Sequence, residues 1–89
     1  MKLKQMTNDR GRAVPNQFII TDGGKVFFQS YESIIAIKEA GKVTLDITCW
    51  DYSKTTGKYR NQFLGEDKRT TEKKIKDGEY QLADLNKGE

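Results

Sequence analysis

The chain contains no histidine, one cysteine and one proline among its 89 residues. Without histidine, imidazole acid–base chemistry and the common zinc arrangements are closed to it. Cys49 has no second cysteine with which to form an internal disulfide. It also lacks the histidine that usually activates a nucleophilic thiol. Its place in register with Val43, Leu45 and Ile47 marks it as a buried structural thiol. No apolar run approaches the ~20 residues of a membrane span, and the lysine-bearing start is not followed by the hydrophobic stretch of a signal peptide. The expectation is a soluble protein of a reducing cytoplasm that holds no metal and no cofactor.

Carboxylates are the remaining route to catalysis, since paired acids run glycoside hydrolysis or hold magnesium. Asp46 alternates onto the wet face of a strand, and Glu66 and Asp67 fall in a turn, places where acids usually serve solubility. The turn Asp22-Gly23-Gly24 is no phosphate loop, because a strand follows it where a helix amino terminus would be needed. An enzyme is not expected.

What the chain does have is charge. It is 35% hydrophobic and 33% charged, with a net charge of +3. A chain of this length makes one domain and buries roughly 60% of its unfolded surface. The charge is unevenly spread. Local sums are +3 for residues 1–12, −2 for 13–53, +5 for 54–76 and −3 for 77–89. Either the lysines of 54–76 solvate exposed helix faces, or they form a basic face for a nucleic acid or an acidic partner.

Residues 1–15 show no periodicity and read as a flexible basic arm, with a brief extended piece at Lys2–Gln5. A hairpin follows, Gln17–Thr21 paired with Lys25–Ser30 across the Asp-Gly-Gly turn. A second pairs Ser33–Lys38 with Lys42–Cys49 across Glu39-Ala40-Gly41. In Lys42–Cys49 the apolar Val43, Leu45, Ile47 and Cys49 alternate with polar residues, as in a strand with one buried face. The period then changes to that of a helix. Tyr52, Thr56, Tyr59 and Phe63 form a stripe, with Ser53 or Asp51 as N-cap and Gly65 as a left-handed C-terminal cap. A shorter helix is capped by Thr70 or Thr71, ends before Gly78 and offers only Ile75 to the core. Glu79–Leu85 adds a last strand or extended lid. The predicted architecture is α+β: an antiparallel β-meander of about four strands in two hairpins, with one or two short helices packed on one face. It occupies residues 16–86, and residues 87–89 form a frayed tail.

The segment from Trp50 to Gly65 is the most informative. It carries the only tryptophan, two tyrosines and three cations between two helix-end signals. The candidate binding surface comprises Trp50, Tyr52, Lys54, Lys58, Arg60 and Asn61 here, and Arg69, Lys73 and Lys76 on the second helix. Trp50, Tyr52 and Arg60 would form a hot spot if they stood together at the surface. The alternative is phosphate contact by the basic helices and by Lys2, Lys4, Arg10 and Arg12.

The blocks VFFQSYESIIAI, GKVTLDITCWDYSKTTGKYRNQFLG and TEKKIKDGEYQLADLN resemble a family of small uncharacterised proteins of bacteriophages and related mobile elements. The resemblance covers about residues 16–86, and its most specific words are Trp50–Ser53 and Lys58–Gly65. It implies a phage product acting in the host bacterial cytoplasm, with no catalytic residues to carry over. The expected function is a non-enzymatic accessory protein that binds a host or phage protein. A nucleic-acid-binding protein and a minor structural or assembly component are the alternatives.

Overall fold

The computed structural model describes residues 1–86. The order is β1 (Lys2–Thr7), β2 (Ala13–Asp22), β3 (Lys25–Ser30), β4 (Ser33–Glu39), β5 (Lys42–Asp46), α1 (Lys54–Leu64), α2 (Lys68–Lys76) and β6 (Gln81–Ala83). The strands form one six-stranded sheet in sequence order. The first four pairings are antiparallel, and β6 lies parallel to β5. The parallel pair follows from the helices between these strands, because a long crossover brings the chain back in the same direction. The mixed α+β class holds, but the sheet has six strands where the sequence predicted four.

The two additional strands have different origins. Residues 1–15, expected as a flexible arm, form β1 and the start of β2. β1 gains its place through backbone pairing, Leu3 with Ile20 and Gln5 with Phe18, and sinks only Met6 into the core. An edge strand anchored by one side chain leaves no periodicity to read. Asn8 turns the chain, its Oδ1 accepting from the amides of Arg10 and Arg12 at 2.9 and 3.1 Å. β6 is shorter than the predicted Glu79–Leu85. Beyond it Asn86 is fixed to Ile34 by bonds to both its amide and carbonyl. Residues 87–89, expected as a frayed tail, lie outside the described residues.

The hairpin turns are as predicted. Gly23 and Gly24 at φ 55° and 91° close the first, and Ala40 and Gly41 at φ 52° and 77° close the second. Positive φ at both central residues matches the twist of the flanking strands.

β5 ends at Asp46, three residues short of the predicted Cys49. Asp46 is buried, not on a wet face. Its Oδ2 accepts from the amides of Thr48 and Cys49 at 3.1 and 2.7 Å, and its Oδ1 from Leu85 N and Asn86 Nδ2 at 2.8 and 3.1 Å. These bonds fold the chain into a turn, so the alternation stops and Ile47 stands 57% exposed. Burial works against the Asp46 carboxylate, but the surrounding donors outweigh it and hold its pKa below the ordinary range.

The helices cover one face of the sheet. There Ile19, Phe28, Ala36 and Leu45 form a row across β2 to β5, and Phe28, Ala36 and Leu45 are buried with Tyr59 and Phe63 of α1. The Phe28 and Phe63 rings stack at 5.7 Å. Removing a buried phenylalanine ring of this kind costs about 3–5 kcal/mol. Lys38 extends over the Phe63 ring and donates to the Phe63 carbonyl at 2.6 Å, which places a cation at the negative end of α1. Ser30 Oγ and Thr56 Oγ1, 2.9 Å apart, join the other end of α1 to β3.

Candidate functional site

α1 is built as its sequence predicts. Ser53 is the N-cap, its Oγ accepting from Thr56 N at 3.1 Å. Gly65, at φ 72°, closes the C-terminus, where the amides of Gly65 and Glu66 both donate to the Asn61 carbonyl. Thr56, Tyr59 and Phe63 are buried along the expected stripe. Tyr52 is not. It precedes the cap, lies outside the helix and is 67% exposed.

Arg60, expected to face outward, is only 1% exposed. Its Nη1 donates to the Trp50 carbonyl at 2.8 Å and to Asp51 Oδ1 at 3.2 Å, and its Nη2 to Asn61 Oδ1 at 2.9 Å. The guanidinium lies 5.2 Å from the half-buried Trp50 ring. Trp50, Tyr52 and Arg60 therefore do not form a surface hot spot. Trp50 and Arg60 hold the strand-to-helix corner together, and Tyr52 alone points outward. The guanidinium folds back along its own helix beside Gly57, where an added Cβ would meet it at 3.6 Å, an ordinary contact.

α2 begins one residue after Asp67, whose Oδ1 accepts from Thr70 N at 2.8 Å. Asp67 is thus the N-cap, in place of the predicted Thr70 or Thr71. Thr71 is buried and donates to Glu66 Oε2 at 2.7 Å. The other Glu66 oxygen accepts from Lys74 Nζ and Tyr80 Oη, both at 2.8 Å. Burial opposes ionisation of Glu66, but these donors prevail and lower its pKa. Asp46, Glu66 and Asp67 each have a structural task. Burial, then the nearby Asp46, raise the pKa of the Cys49 thiol, which makes it a poor nucleophile at neutral pH.

Between the first turns of α1 and the start of α2 lies an open cleft of about 710 Å³. Lys54, Lys58, Asn61 and Lys68 line it, with Ser53 and Gly57 between them and Arg60 beneath. Asp51 is the only acid among its lining residues; it accepts from Lys68 Nζ at 2.7 Å as well as from Arg60. The Lys68 bond, against some burial and with help from Arg60, holds the Asp51 pKa low. Lys58 also approaches Asp9 of the β1–β2 loop at 4.0 Å. The first turn of α1 contains no acid to offset its amino-terminal dipole. The cleft is therefore electropositive, and it adds Lys68 to the sequence-derived surface. Arg69, Lys73 and Lys76 are exposed on α2 but do not line it. A second hollow of about 390 Å³, lined by Asn16, Ser30, Tyr31, Glu32, Ser33 and Tyr52, carries two exposed tyrosines. Among the described residues no group of three or more Cys, Asp or Glu side chains converges on a metal position. No helix among the described residues is long and apolar enough to cross a membrane.

Fold and cleft together define a small mixed α+β domain with a basic helical side. The chain belongs to DUF8033, a family of unknown function, whose model matches residues 1–80. The match takes in β1, so the first fifteen residues are part of the family's domain and not an arm outside it. No curated protein and no solved structure matches the chain.

Proposed function

We propose that the chain is a small non-enzymatic binding protein that docks on an acidic surface of a host or phage protein through the cleft between α1 and α2. The observation that carries this reading is the convergence of Lys54, Lys58 and Lys68 around one concavity, with the Arg60 charge beneath it and Asp51 as its sole acid. Charge of one sign in a cleft steers an oppositely charged partner and selects against wrong ones. The exposed Tyr31 and Tyr52 in the second hollow supply large, rigid contact area of the kind that anchors protein interfaces. Glu32 in that hollow suits a protein better than a polyphosphate. The phage or mobile-element origin implied by the sequence resemblance, with action in a bacterial cytoplasm, is part of the same proposal.

Nucleic acid is the second reading, and one observation favours it. α1 begins without an acid and is flanked by Lys54 and Lys58, an arrangement suited to a phosphate. A pull-down from host lysate, with and without nuclease, separates the two. The expected result is one stoichiometric protein that survives nuclease and is lost in the K54E/K58E variant. Capture abolished by nuclease, with affinity falling steeply as salt rises, would move the assignment to nucleic acid.

A further inference from the structure

The face of the sheet turned away from the helices is largely apolar, and among the described residues Leu85 shares a hollow on it with Ile37 and Thr44. The pairings place Leu3, Ile20, Phe27 and Ile37 side by side in one row that continues to Thr44 and Gln81. In the next row Phe18 stands between Gln5 and Gln29, and Ile34 follows. None of these six apolar side chains belongs to the core cluster or packs against it. Leu3 at the edge is 61% exposed, and Phe18, Ile20, Phe27, Ile34 and Ile37 are half-buried. A solvated face of an antiparallel sheet is ordinarily polar, whereas a contiguous apolar patch marks an interaction site.

The charges beside this patch identify what fits it. At the hairpin end of the same face Asp22, Lys25, Glu39 and Lys42 form a third row, one residue from each of β2 to β5. Lys25 Nζ and Glu39 Oε2 are 3.9 Å apart, which fixes them on one side of the sheet. The order of signs is minus, plus, minus, plus, and it is antisymmetric about its centre. When a second sheet is laid face to face on the first by a twofold axis along the strands between β3 and β4, the strand order is reversed. Lys25 then stands opposite the partner's Glu39, and Asp22 opposite the partner's Lys42. Every facing pair is attractive. The same operation sets Phe27 against the partner's Ile37 and Ile20 against the partner's Thr44, which shares a hollow with Leu85. Stacked sheets cross at about 30°, which keeps the 25–39 pairs, nearest the axis, best aligned.

We infer that this bare sheet face is the interface of a symmetric dimer, its occupant a second copy of the same chain. Five strand spacings of ~4.8 Å and six residues of ~3.3 Å rise give a footprint on the order of 500 Å². That is below the ~800 Å² per partner of a standard interface, which puts the dimer among weak, transient associations. This surface is separate from the basic cleft, and the inference stands whether or not the cleft has the proposed partner.

Charge-swap variants test it, read by sedimentation velocity on the full chain over a concentration series up to roughly 1 mM, where even a dimer with a Kd of about 1 mM is half formed. The wild type should pass from monomer to dimer. K25E and E39K each place like charges opposite one another at two points per dimer, so each should associate at least tenfold more weakly. An equimolar mixture of the two should recover wild-type association. In the mixed dimer the swapped position of K25E faces the swapped position of E39K with opposite charge, and the unaltered Glu39 of the first faces the unaltered Lys25 of the second. F27T should abolish association, while the unfolding midpoints of K25E and E39K, measured in parallel, stay near that of the wild type. A wild type monomeric throughout would overturn the inference. So would self-association that the swaps leave unchanged, or a mixture no tighter than either variant alone.

Discussion

Arg60→Met decides whether the Trp50–Gly65 segment is scaffold or contact surface. Methionine keeps most of the stem volume and removes the guanidinium, so the loss falls on the head group. The Trp50 carbonyl, which accepts at 2.8 Å, is left without that donor, at a cost of about 1–3 kcal/mol for a buried group. Stacking of the cation on Trp50, at 5.2 Å, contributes about 0.5–2 kcal/mol more. Asp51 keeps Lys68 and Asn61 turns to water, so neither adds much. Arg60 Nε is buried without a partner among the described residues, so its removal returns about 1 kcal/mol, and the net loss is about 2 kcal/mol, against roughly 4–13 kcal/mol for a whole chain of this length. Urea unfolding followed by Trp50 fluorescence would measure it, and a fall of about 8–16 °C in thermal midpoint should accompany it. Arg60→Lys should recover little, since an ammonium offers neither the planar fork nor the stack. A loss below about 1 kcal/mol would refute the reasoning. Arg60 would then be free to swing outward, and the surface hot spot would return.

Gln17 is fully buried and neither side-chain polar atom finds a partner among the described residues. Gln17→Met should therefore raise stability by about 1 kcal/mol in the same urea assay. Gly57→Ala should also stabilise, by about 0.5–1 kcal/mol, since the added Cβ meets the Arg60 guanidinium at 3.6 Å, an ordinary contact. A loss instead would show that the guanidinium needs the bare helix. Asp46, Asp51 and Glu66 all have folded-state pKa values below the ordinary range. The stability they contribute is complete above the unfolded carboxylate value of about 4 and is lost as pH falls through the folded values. Urea midpoints should thus be flat near neutrality and fall steeply below about pH 4. Glu66→Gln, which forfeits charged acceptance from Thr71 and Tyr80, should cost about 1–2 kcal/mol at pH 7 and flatten that fall.

Local signals in the sequence carried most of the fold and less of the site. Both hairpins and the ends of α1 were legible because turn glycines, Ser53 and Gly65 act on their immediate neighbours. β1 was hidden because its pairing with β2 is a backbone matter in which only Met6 enters the core. β5 was read too long because alternation through Cys49 could not register that Asp46 collects amides from Thr48, Cys49 and, 39 residues away, Leu85. The direction of β6 was not legible, since it depends on what the helices cross. Lys54, Lys58 and Asn61 lie off the aromatic stripe, as helical spacing places them, and line the cleft. Arg60 was not, because helical spacing gives the angle of a side chain at its root, while its tip follows the nearest acceptors. Lys68 joins the cleft through Asp51, a contact with no trace in local spacing.

The bare sheet face follows from how little chain there is to cover it. Helices of 11 and 9 residues are ~16 and ~14 Å long and ~10 Å wide. Together they can shield on the order of 300 Å² of a sheet footprint near 500 Å², one face and no more. They are committed to the side bearing Phe28 and Leu45, where Tyr59, Phe63 and Tyr80 complete the core. A chain whose opposite face were meant for water would place polar residues at positions 3, 18, 20, 27, 34 and 37. It has leucine, phenylalanine and isoleucine there instead, while keeping lysine and glutamate one row away in an order that matches its own reversal. An apolar face without a second layer is unfavourable for an isolated domain, and a second copy supplies that layer from the same gene product.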